Sequence, residues 1–136
     1  MPKEIEQYFV ENMTMKIAMP VNGINETNLA DINTNKSFGR APYFLIYDIE
    51  SQEATFLQNS AADNPSGAGI KAAQIIVDQR ITALLTPRCG ENAANILHTA
   101  GITLYQTIDA SAEENINAFI LGNLLLLEDI HPGFHG

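Results

Sequence analysis

The chain is poor in three things: cysteine, basic side chains and long apolar runs. Its 136 residues include one cysteine and seven lysines plus arginines. A lone thiol cannot close an internal disulfide, and a reducing cytoplasm is its natural setting. With no Cys-x-x-Cys pair and no second cysteine, one chain cannot supply the thiolates of a four-cysteine iron–sulfur centre. Nothing reaches the roughly 18 consecutive apolar residues of a membrane-spanning helix, so no membrane association is expected. The first fifteen residues, MPKEIEQYFVENMTM, are acidic and lack the apolar stretch of a secretory leader. Acidic residues dominate and leave a net charge of −9. Such a body repels phosphate backbones, which argues against nucleic acid as a partner.

The few cations are not spread evenly. Lys36, Arg40, Lys71 and Arg88 fall in or beside three short glycine-bearing loops, leaving Lys3, Lys16 and Arg80 elsewhere. The loops read Ser37-Phe38-Gly39-Arg40-Ala41-Pro42, Ser66-Gly67-Ala68-Gly69-Ile70 and Arg88-Cys89-Gly90-Glu91-Asn92. Glycine lets backbone approach a ligand, and two of the loops run into predicted helices, whose free N–H groups favour negative charge. A local positive site on an acidic body follows.

Periodicity supplies the frame, in a length that suits one domain with a sizeable core. Met15–Pro20 reads as a strand ended by Pro20, and residues 22–37 as a long polar loop. Tyr43–Ile49 and Ala54–Gln58 form a hairpin. Ile70, Ala73 and Val77 mark the inner face of a helix, and Ile81–Thr86 is a short strand. A helix over Asn92–Ala100 stops at Gly101, with Asn92 as its expected cap. Ile102–Tyr105 is the fifth strand. Ser111 and Glu114 make a capping box for a last helix with Ile116, Phe119 and Ile120 inward. The first fourteen residues, where Ile5 and Phe9 suit a docking helix, and the tail from Asn123 lie outside this core.

The order β-β-β-α-β-α-β-α implies a five-stranded mixed sheet with strand two antiparallel and helix-connected strands parallel. The loops after strands one, three, four and five then leave the same edge, and so does the loop leading into strand two. Ligands of open α/β sheets bind outside the carboxyl ends of the parallel strands, where all three glycine loops meet.

Cys89 stands at a predicted helix N-terminus beside Arg88, and both lower a thiol pKa. A thiolate there binds iron, copper or zinc; a small buried core residue is the alternative. His98, nine residues further along the helix, is on the order of 13 Å away, too far to act as its base, which argues against cysteine-hydrolase chemistry. His131 and His135 form a pair that Pro132 and Gly133 keep from being helical, leaving either a metal-reaching tail or a plain terminus. Arg40, with the Gly39 backbone, is placed to contact an anion, or else to pair with Asp48 or Asp63.

Three runs, Met15-Lys16-Ile17-Ala18-Met19-Pro20-Val21, Phe38-Gly39-Arg40-Ala41-Pro42-Tyr43-Phe44 and Gly67-Ala68-Gly69-Ile70-Lys71-Ala72-Ala73-Gln74, resemble in this order the dinitrogenase iron–molybdenum cofactor biosynthesis family. The resemblance covers residues 15–122, with 1–14 as an extension and 123–136 as a tail. It implies an RNase H-like, three-layer α/β/α sandwich and a non-enzymatic binder or carrier of a metal–sulfur cluster. That cluster would be an iron–sulfur, molybdenum–iron or copper-containing sulfide, exchanged with donor or acceptor proteins. The family has a histidine before Phe-Gly-Arg, where this chain has Ser37, a poor ligand for soft metals. Relatives carry Gly-rich or Gly-Pro-Asn sequences where this chain has Cys89, so the thiol is the candidate replacement. Stand-alone members end, as here, in sequences like His-Pro-Gly-Phe-His.

The expected binding residues are Ser37, Phe38 (as a water shield or loop packing), Gly39, Arg40, Gly67, Ala68, Gly69, Arg88 and Gly90. Cys89, His131 and His135 are the expected metal ligands, with a homodimer as one way to share a cluster. A nuclease, which the RNase H-like fold also hosts, would need a carboxylate on the first strand, and Met15–Pro20 has none. A module for a small phosphorylated or carboxylated metabolite would use the same loops without metal. A regulatory protein that binds only a partner is the third alternative.

Overall fold

Strand β1 (Lys16–Val21) alternates cleanly: Ile17, Met19 and Val21 face one side of the sheet and Ala18 the other. The computed structural model describes residues 15–25, 28–128 and 130–131. Ile5, Phe9 and His135 lie outside them.

β1 does not stop at Pro20. It runs through to Val21, pairing Pro20 with Phe44 of the antiparallel β2 (Tyr43–Asp48). The Pro20 carbonyl accepts from the Asn35 amide at 2.8 Å, away from β2. The missing proline N–H lies on that same side, so the β1–β2 ladder loses no rung. β3 (Ala54–Gln58) completes the hairpin, and β4 (Ala83–Leu85) and β6 (Thr103–Tyr105) add in parallel, giving the order β3-β2-β1-β4-β6. This is the five-stranded mixed sheet with strand two antiparallel that the sequence implies. A separate two-stranded sheet joins β5 (Cys89–Gly90) to β7 (Ile130–His131), also in parallel.

Helices cover both faces, making three layers. On one side Ala18, Phe44, Ile46, Leu84 and Leu104 meet α1 (Ala68–Asp78) and α2 (Glu91–Thr99). On the other, Ile17, Met19, Leu45 and Leu85 meet α3 (Ala112–Ile120) and the loop around Ile32. Both faces of the central strands are apolar, as in sheets whose crossovers place helices above and below.

Two helix faces differ from the periodic reading. α1 buries Ala68, Ala72, Ala73 and Ile76, while Ile70 is exposed. Small residues point inward because α1 lies close to α2: a Cβ added to Gly69 would stand 3.8 Å from that of Ala93. In α3 the capping box forms, with the Glu114 amide donating to Ser111 Oγ at 3.2 Å. Ile116 is buried and Phe119 meets the Tyr105 ring edge-on at 5.2 Å, but Ile120 faces solvent. Gly101, at φ +82°, ends α2 as expected.

Residues 123–128 contribute to the core rather than lying outside it. Leu124 is buried with the α3 side and Leu127 with the α1–α2 side, so the segment passes around the outer edge of β6. The Gln106 amide donates to Leu125 O at 2.8 Å, and the Leu127 amide to Leu104 O at 3.0 Å. Four consecutive leucines cannot show the alternation that periodicity detects, which is why this edge was not legible.

Candidate anion-binding cavity

The three glycine loops converge. They line one cavity of about 840 Å³ at the carboxyl edge of the parallel strands, together with Lys36, Pro65, Asn92 and Ala93. All ten expected residues from Ser37 to Cys89 and Gly90 lie in its wall. Among the described residues three cations, Lys36, Arg40 and Arg88, and no carboxylate line it, on a body of net charge −9. Lys71, also expected near the loops, is not in the wall.

Two helix N-termini open into the cavity, and neither has a side-chain cap. Gly67 caps α1 in the left-handed conformation at φ +71°, and the first helical bond runs from the Lys71 amide to Gly67 O. The amides of Ala68, Gly69 and Ile70 therefore precede the helical ladder. Gly90, extended at φ −72°, caps α2, which leaves the amides of Glu91, Asn92 and Ala93 in the same position. Asn92 is thus not the cap; it lies exposed in the first turn. Orphan N–H groups and the positive ends of two helix dipoles make this cavity suited to an anion.

The Phe38–Ala41 loop is held from below. Phe38 is buried against Phe44, with ring centroids 5.4 Å apart, so it packs the core under the loop. Gly39 lies against α1: a Cβ there would come within 2.9 Å of Gly69 Cα and N. Its smallness is used for backbone-on-backbone contact between two cavity walls. Ser37 Oγ accepts from the Arg40 amide at 3.2 Å and so shapes the turn. Arg40 makes no ion pair with Asp48 or Asp63. Its Nη1 donates to the carbonyls of Ala62 (3.2 Å) and Asn64 (2.9 Å), while Asp48 caps its own turn through the amides of Glu50 and Ser51.

Asn59 was not anticipated. Buried after β3, it donates from Nδ2 to the carbonyls of Gly39 (2.9 Å) and Ala41 (2.8 Å) and accepts from the Ala61 amide. Together with Arg40 it braces the two loops against each other. An asparagine after a strand looks like any turn residue, so no sequence signal marks it.

Cys89 is buried, and burial pushes its thiol up to about 12. That reverses the expected lowering, and desolvation is the cause. The thiol therefore keeps its proton at neutral pH. Among the described residues no three His, Cys, Asp or Glu side chains gather where they could share a metal ion. The His131 backbone lies beside Gly90 through the β5–β7 pairing. No helix among the described residues is long and apolar enough to cross a membrane.

A sequence profile of the family described as dinitrogenase iron–molybdenum cofactor matches residues 13–122. Similar solved structures include the apo form of the orange protein from Desulfovibrio gigas, 26% identical at a TM-score of 0.77, covering 86% of this chain and 96% of that one. A Thermotoga protein assigned to NifB and to the DUF35 family is 32% identical at a TM-score of 0.70, covering 85% and 94%. A protein from Methanocaldococcus jannaschii assigned as a dinitrogenase, 20% identical at a TM-score of 0.60 over 86% and 98%, shares the fold alone. No curated protein matches the chain.

Proposed function

The chain belongs to the dinitrogenase iron–molybdenum cofactor family, and on that premise we propose that its cavity binds and carries an anionic metal–sulfur cluster, with no catalytic step. The observation that carries this reading is the meeting of two uncapped helix N-termini and three cations, without a carboxylate, in one cavity. Sulfide-rich clusters are polyanions, and amide N–H groups with guanidinium and ammonium groups satisfy their outer sulfurs by charge and hydrogen bonding.

Cations and amide N–H groups dominate the cavity wall, which fits a cargo gripped by its outer sulfurs. Arg40 and Arg88, with the amides of Gly39, Gly69 and Gly90, contact the cargo's anionic face. Cys89 adds one soft donor from the wall, and its bond to metal releases the proton that burial holds on the thiol. His131 and His135 complete the proposed donor set from the segment beyond β6. Iron, molybdenum and copper sulfides all meet this description, and donor or acceptor proteins are the proposed partners.

Anaerobic titration of the protein with tetrathiomolybdate and with iron–sulfide species, followed by visible absorbance, tests the reading. Saturable charge-transfer bands that weaken in Arg40→Gln support it. In Cys89→Ala the bands persist but the proton release is lost. Saturable binding of a small phosphate or carboxylate ligand, without any response to these sulfides, would replace it with the metabolite reading.

A further inference from the structure

The segment after α3 pairs its backbone with two residues of the cavity wall, although it is remote from the glycine loops in sequence. It is anchored first by Leu124 on one face of the sheet and Leu127 on the other. Its backbone bonds to Gln106 and Leu104 along the β6 edge. It then reaches the cavity as β7, where Ile130 pairs with Cys89 and His131 with Gly90. Those two partners line the cavity, and Gly90 is the residue that caps α2.

We propose that this segment is a clasp whose end, β7, closes the cavity wall at Cys89–Gly90 and releases independently of the main sheet, so that clasp docking and cavity occupancy strengthen each other. The second half rests on the cargo reading above; the first does not. β7 belongs to a two-stranded sheet separate from the five-stranded one, so its release breaks no rung of the main sheet. Two parallel residue pairs hold it, and parallel pairing is the weaker kind per residue. Such elements open locally while the core stays folded.

The coupling has a direct cause. β7 fixes the backbone of Gly90, and Gly90 sets where the first amides of α2 stand. A ligand that needs those amides in place binds the docked state better and shifts the population toward it. By linkage the clasp must raise ligand affinity by the same factor as the ligand raises clasp docking. Cys89 is the probe of that state: it is buried, and its backbone is the one β7 pairs with, so release of β7 is expected to speed its labelling.

Two variants test this: a chain ending at Glu128, which keeps Leu124 and Leu127, and the full-length Ile130→Pro/His131→Pro chain, which removes both backbone donors of β7. Each apo protein is melted by circular dichroism and its Cys89 is labelled with a small neutral maleimide. Tetrathiomolybdate is the binding probe. We expect cooperative melting retained, thiol labelling faster by roughly tenfold or more, and weaker tetrathiomolybdate binding in both. The full-length variant decides if the shortened chain fails to fold. Unchanged labelling in a folded variant overturns the clasp, and faster labelling with unchanged binding overturns the coupling. A parent protein that does not bind tetrathiomolybdate sinks the cargo reading and the coupling with it, while labelling still decides whether β7 closes the wall.

Discussion

Adding one methyl group at Gly39 should separate two walls of the cavity, and adding one at Gly69 should not. A Cβ on Gly39 would stand 2.9 Å from both Gly69 Cα and Gly69 N, and 3.3 Å from Ala68 C. All three neighbours are backbone at the start of α1, so no side chain can swing aside. The loop must lift by about 0.5 Å before the contact becomes ordinary, and forced overpacking of this kind costs about 1–3 kcal/mol. At Gly69 the added Cβ meets only the Ala93 Cβ, at 3.8 Å. Glycine inside a helix costs about 0.5–1 kcal/mol relative to alanine, so Gly69→Ala should stabilise by that amount. The two variants should therefore differ by about 1.5–4 kcal/mol with opposite signs relative to the parent. Urea unfolding followed by circular dichroism reads this as midpoints shifted in opposite directions at constant slope. A Gly39→Ala protein as stable as the parent, or a Gly69→Ala protein destabilised as much, would refute the backbone-on-backbone contact.

Asn59→Ala strands the Gly39 and Ala41 carbonyls and the Ala61 amide, and should cost about 2–4 kcal/mol in the same assay. Gly67→Ala meets no neighbour within 4 Å but forces a side chain into φ +71°, for a cost of about 1–2 kcal/mol in thermal or urea unfolding. The thiol predicts a pH dependence. The Cys89 pKa rises from 9.0 to about 12 on folding, so in that window the folded chain holds a proton that the unfolded chain releases. Stability contributed by this group is full below pH 9 and is lost as pH rises toward 12, at up to about 1.4 kcal/mol per pH unit. Urea midpoints measured over that range should fall less steeply in Cys89→Ala; an identical slope would contradict the burial of the thiol.

The strand order, the antiparallel second strand and the meeting of the three loops were legible because each depends on element order alone. Hairpin and crossover rules then place Gly39, Gly67 and Gly90 on one edge without further information. Side-chain environment was not legible. Cys89 at a helix start reads as an activated thiol until tertiary packing covers it, and burial then decides the sign of its pKa shift. Arg40 reads as an anion contact or else a partner of Asp48 or Asp63, and its donation to the carbonyls of Ala62 and Asn64 was not foreseen. Pro20 reads as a strand end because sequence alone does not reveal that its nitrogen faces away from β2. Ile70 and Ile120 were placed inward by periodicity, but both are exposed, and on α1 close packing against α2 buries Ala72 and Ala73 instead.

One experiment separates the cargo-binding reading from its rivals: anaerobic titration of the apo protein with tetrathiomolybdate at low and high ionic strength, with Arg40→Gln in parallel. Saturable charge-transfer absorbance, weakened both by salt and by loss of the guanidinium, is the predicted result for an anionic cluster held by amides and cations. Absorbance that never saturates, or saturates identically at both salt concentrations and in both proteins, would show that this cavity does not hold the sulfide as an anion.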